Sequence, residues 1–212
     1  MAFSDLIYII LVFEVLAAII ATIYYKKYKN TTERYFLYYL WAVFFVEMAG
    51  LSYWKILKSG NNYWIYIIYT YFSFLFFFYW FYSILEKKKY KKILLFLAFI
   101  FSVYGIYNFM VLSWNQYQIP TFVCGAIITI ISALLYFSEL LDSDKVLNVK
   151  TELRFWIATG LLLFNVGMTP FMIFSDYFKS DNRLFVIILV SLNFILYGCY
   201  SLGFIWLKPK NK

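Results

Sequence analysis

Histidine does not occur in this chain of 212 residues. Its absence excludes His-ligated haem, a His-containing zinc site, a His general base and a self-phosphorylating His. Cysteine occurs twice, at Cys124 and Cys199. Each falls inside an apolar run, at a different depth, so packing is expected of them rather than a disulfide. Charge is scarce: 14% of residues are charged, against about 25% in soluble domains. Nucleophile elbow, P-loop, HExxH and CxxC patterns are all missing, and no lysine sits at the centre of an apolar run. A retinal Schiff base is thereby excluded, and enzyme chemistry has little to draw on. The expectation is a non-enzyme with no cofactor, no metal and no catalytic residues. An intramembrane hydrolase is the least favoured alternative, with two glutamates as its sole candidate acids.

Apolar and aromatic residues are what the chain has in abundance. Hydrophobic residues make up 64% of it and aromatic ones 25%, whereas soluble domains hold about 45–50% apolar residues. Phe tolerates lipid, and Tyr and Trp suit the headgroup level. Crossing a bilayer takes about 20 apolar residues. Seven runs approach that length, at 5–25, 35–57, 63–85, 93–113, 120–141, 153–174 and 184–207. The expected fold is therefore all-α: one polytopic bundle over 1–212 with seven transmembrane helices joined by short polar linkers. Met1 to Asp5 carry no basic residue and the run behind them is long, so a cleaved leader is not expected.

The net charge of +8 follows from topology rather than from affinity for nucleic acid. If the N-terminus lies outside, the cytoplasmic segments hold Lys26, Lys27, Lys29 and Arg34, the run Lys87, Lys88, Lys89, Lys91 and Lys92, then Lys145, Lys150 and Arg154, then Lys208, Lys210 and Lys212. Only Lys55, Lys58, Lys179 and Arg183 remain for the outer side. That asymmetry orients the chain with its C-terminus in the cytoplasm. The run Lys87–Lys92 is a candidate contact for anionic lipid headgroups. Thr32-Glu33 and Thr151-Glu152 resemble helix starts, a cap residue followed by an acid. The same pair ahead of the second and sixth runs is a faint internal echo.

Ionisable residues inside a membrane are costly and invite a reason. Glu14 and Glu47 fall near the middle of the first two runs. Antiparallel neighbours joined by a short loop place them at similar depth, where one carboxyl would hold a proton or a cation would sit between them. Ala17, Ala18 and Ala21 share the face of Glu14 at i+3, i+4 and i+7, and Gly50 shares that of Glu47. Small residues admit a neighbouring helix, so both glutamates are expected to face protein. Asn165, with Thr169 one turn on, and Asn193, with Tyr197, Tyr200 and Ser201, extend the polar layer. Thr70 and Ser73 lie on a face with Tyr66, Phe77 and Trp80, and Pro170 with Gly167 is expected to bend the sixth helix. The layer Glu14, Glu47, Asn165, Asn193, Tyr197 and Thr169 either binds something or fastens helices together.

The stretches KNTTERYFLYYLWAVFFVEMAG at 29–50 and YGCYSLGFIWL at 197–207 resemble small seven-helix bacterial inner-membrane proteins of uncharacterised function. They also resemble the seven-helix membrane sensor regions of histidine kinases. In size the chain is similar to small sugar and vitamin transporters too, but their Pro-Gln signature is absent. The resemblance implies a bacterial cytoplasmic membrane. It also implies a sensor-like or accessory subunit whose partners are the bilayer and another membrane or signalling protein. A small-molecule or ion transporter using the polar layer is the alternative.

Overall fold

A computed structural model describes residues 3–57, 61–143, 149–175 and 182–208. Lys58, Lys145, Lys179, Lys210 and Lys212 of the charge pattern lie outside the described residues. Among those described there are seven α-helices and no strand: α1 Phe3–Ile23, α2 Arg34–Leu57, α3 Tyr63–Ile84, α4 Lys88–Val111, α5 Ile119–Leu141, α6 Leu153–Ile173 and α7 Asn182–Trp206. A 3₁₀ turn, Tyr25–Lys27, follows α1. Helices are what apolar runs of this length must form in lipid, because each backbone donor and acceptor is satisfied within the segment. Six of them, α2 to α7, are long and apolar enough to cross a membrane, while the apolar stretch assigned to α1 is the shorter Tyr8–Ile23. This is the build of an integral membrane protein.

Helix limits agree with the apolar runs to within two residues except at α4, which begins at Lys88 rather than at 93. The lysine run, expected as a flank, is the first turn and a half of that helix. Lysine is a good helix former, and hydropathy cannot register a charged first turn. Glu139 supplies what the lysines lack: its two carboxylate oxygens accept the backbone N–H groups of Glu86 at 2.8 Å and Lys87 at 2.6 Å. A negative group at that end complements the helix dipole.

The chain divides into two compact units, 1–44 with 140–212, and 45–139. In the first, α7 packs along both α6 and α1. The two faces of α1 separate cleanly. Glu14, Ala17, Ala18 and Ala21 are buried, whereas Val12, Leu16, Ile19 and Ile23 are exposed, as suits a helix between protein and lipid. Close approach of α6 and α7 depends on small residues. A Cβ at Gly160 would lie 3.2 Å from the Leu196 carbonyl oxygen, and one at Gly167 would lie 2.5 Å from Leu192 Cδ2. Gly167 thus makes room for α7. Pro170 lies within α6, which continues to Ile173.

The second unit is built on an aromatic cluster. Phe101 of α4 meets Tyr71, Phe74 and Phe78 of α3 at centroid distances of 5.4, 5.8 and 5.2 Å, and Phe122 of α5 meets Phe74 at 5.6 Å. Such pairs contribute about 0.5–1.5 kcal/mol each beyond the area they bury. By contrast α4 turns Phe96, Phe99, Val103 and Met110 outward, a face suited to lipid.

Candidate functional site

Glu14 is the more deeply enclosed of the two glutamates, 4% exposed. Its Oε1 accepts a hydrogen bond of 3.1 Å from the Tyr197 hydroxyl, which joins α1 to α7 at mid-helix. The alanine face of α1 permits this by letting α7 come close. Tyr197 and Asn193 are both buried, one turn apart on α7. The asparagines, however, do not reach across. Asn193 Nδ2 donates to the Leu189 carbonyl at 2.8 Å, and Asn165 Nδ2 to the Leu161 carbonyl at 2.8 Å. Thr169 Oγ1 likewise donates to the Asn165 carbonyl at 2.6 Å. Each of these donors bonds one turn back along its own helix, the usual resort of short polar side chains in apolar surroundings. Tyr200, on the same stripe, is 1% exposed, and its hydroxyl has no hydrogen-bond partner among the described residues.

Glu47 belongs to the second unit and is only half-buried. Its Oε2 accepts from the Tyr66 hydroxyl at 3.1 Å. Gly50, one turn along α2, is the reason the phenol fits: a Cβ there would lie 2.5 Å from the Tyr66 hydroxyl oxygen. Asn62 completes the corner by donating to the Gly50 carbonyl at 3.2 Å. Each glutamate therefore has a tyrosine of its own unit as donor.

A second polar cluster in that unit escaped the sequence reading, apart from Thr70. Asn108 Nδ2 donates to Thr121 Oγ1 at 2.9 Å, and Thr121 donates onward to Gln118 Oε1 at 3.4 Å. Thr70 and Tyr117 share a hydroxyl contact of 3.1 Å beside a small cavity that Gln118 and Thr121 also line. Burial pushes the Tyr117 phenol up to about 12, against a smaller downward pull from Thr70. The spacing of Gln118 and Thr121, i and i+3 at the start of a helix, was the available signal.

Four helix ends of the first unit converge on a charged cleft. The end of α1, the starts of α2 and α6 and the end of α7 contribute Lys27, Glu33, Glu152, Arg154 and Lys208. Arg154 Nε donates to Glu33 Oε1 in an ion pair whose side chains are 25% and 5% exposed. Burial alone would raise the Glu33 carboxyl, but the Arg154 charge and hydrogen bond, with help from Thr31, hold it below its usual value. Lys27 Nζ donates to the Leu207 carbonyl at 3.0 Å, just past the end of α7, where a cation complements the helix dipole. The glutamates of the two Thr-Glu echoes thus meet here, and Glu152 precedes α6 without a side-chain capping bond. Along the run at the start of α4, Lys87, Lys88, Lys89 and Lys92 are exposed and Lys91 is half-buried.

Among the described residues no group of three or more Cys, Asp or Glu is placed to hold a metal ion. No known protein family, curated protein or solved structure matches the chain.

Proposed function

We propose that this chain is a non-enzymatic, sensor-like or accessory subunit of a larger assembly in a bacterial cytoplasmic membrane. It crosses that membrane seven times, with the start of α1 outside and the end of α7 in the cytoplasm. The observation that carries the reading is how the intramembrane polar groups are used. Glu14 is buried on the alanine face of α1 and tied to Tyr197, while Asn165, Thr169 and Asn193 donate within their own helices. A binding layer would turn such groups toward a ligand; here Glu14 and Tyr197 fasten α1 to α7, and the others bond along their own helices. The uneven distribution of basic residues supports the orientation. The exposed lysines Lys87, Lys88, Lys89 and Lys92, with Lys91, supply a contact for anionic headgroups on the cytoplasmic side.

A transporter is the second reading, and the half-buried Glu47 favours it, since that carboxyl is less enclosed than Glu14. The two readings separate in one experiment. The chain is purified from its native membrane in mild detergent, and the same material is reconstituted in proteoliposomes. A subunit comes away in stoichiometric complex with a membrane or signalling protein and moves no solute by itself. A lone chain that catalyses uptake, abolished by Glu47→Gln, would overturn the proposal.

A further inference from the structure

The cleft at the basic end of the first unit has the charge and setting of a headgroup site. It is a shallow cleft, with an enclosed volume of about 30 Å³ behind an open mouth. Of its five charged side chains, Arg154 and Glu33 neutralise one another. Lys27, Lys208 and Glu152 remain, and together they leave one net positive charge. A monoanion balances that charge; a dianion would face Glu152 without compensation. The N-terminus of α6 opens on the same cleft and adds partial positive charge.

Aromatic residues set the depth. Trp156 and Trp206, each two positions from a charged cleft residue, meet edge to face at 5.1 Å, and Trp206 is 45% exposed. Tyr24 lies under the Lys27 ammonium at 4.4 Å. Indole and phenol rings beside lysines are the mark of the membrane–water boundary. Phosphodiesters of lipids lie at that level, and free anions have no preference for it.

The geometry points to a phospholipid site: the phosphodiester of a monoanionic phospholipid rests at the open mouth of the cleft, between Lys27 and Lys208. The lysine run of α4 belongs to the other unit.

The test uses the full chain in neutral detergent, observed by native mass spectrometry. Phosphatidylglycerol, phosphatidylcholine and inorganic phosphate are titrated separately. Phosphatidylglycerol is expected to be retained about tenfold more strongly than phosphatidylcholine, and Lys208→Glu is expected to weaken it at least about fivefold. Lys208 is exposed, so this variant should fold; Lys208→Gln, expected to give a smaller loss of the same kind, covers the case in which it does not. Lys87→Glu, in the other unit, is expected to leave retention unchanged. Equal retention by wild type and Lys208→Glu would overturn the inference. So would an equal loss on Lys87→Glu, which would make the effect general electrostatics. Inorganic phosphate bound as tightly as the lipid would make this a free-anion site and overturn it too.

Discussion

Arg154→Met should destabilise the protein more than any other single change at the charged cleft. It leaves the Glu33 carboxylate 4% exposed and without its cation. Removing one partner of a buried pair costs about 3–5 kcal/mol. Arg154 is itself 25% exposed, so water softens the loss toward the lower limit, about 3 kcal/mol. Glu33→Gln is milder, because Glu152 lines the same cleft and takes up part of the guanidinium charge; we expect about 1–2 kcal/mol. The double variant should fall about 2 kcal/mol short of the sum, since neither charge is then stranded. Reversible unfolding in mixed micelles with increasing SDS, followed by helicity, measures all four proteins. If Arg154→Met lies within about 0.5 kcal/mol of wild type, or if the two changes are additive, the pair is not the fastening described here.

Five further outcomes follow from the same geometry. Because Arg154 lowers the Glu33 carboxyl, the pair stabilises fully above the ordinary glutamate value of about 4.3, and this is lost as pH falls through the lowered native value. Glu33→Gln should therefore flatten the acid limb of stability against pH; parallel limbs would contradict it. Tyr197→Phe removes the bond to Glu14 and should cost about 0.6–2 kcal/mol in the same unfolding assay. Tyr200→Phe removes a buried hydroxyl without a partner and should change stability by less than about 0.5 kcal/mol or raise it. Gly50→Ala pushes the Tyr66 hydroxyl off Glu47, so combining it with Tyr66→Phe should add little to either change alone. Glu139→Ala uncaps α4 and should speed amide exchange at the turn before the helix, at a cost of about 0.5–2 kcal/mol.

The helices were legible because lipid-compatible runs of that length have few other folds open to them. The inward face of α1 was legible for a similar reason: Glu14, Ala17, Ala18 and Ala21 recur at helical spacing, and all four are buried. Gly50 beside Glu47 also signalled a close neighbour, although not that the neighbour would be Tyr66. What local pattern could not supply was partner choice. Glu33 and Arg154 lie 121 residues apart, and no periodicity links them. Asn165 and Asn193 had the right depth for a shared layer, yet depth says nothing of where an amide points, and each carbonyl one turn back lies nearer than another helix. The start of α4 was missed because hydropathy registers apolar length and is blind to a lysine-rich first turn held by Glu139.

The central claim is that the carboxyl in α1 fastens a packed bundle and is not part of a solvent-filled binding layer. Glu14→Cys, in a chain with Cys124 and Cys199 replaced by alanine, tests it in native membrane vesicles with a small charged methanethiosulfonate reagent. A packed bundle predicts no modification of the folded protein from either side, with full reaction after denaturation. Rapid modification in the folded state would show water at Glu14 and contradict the account.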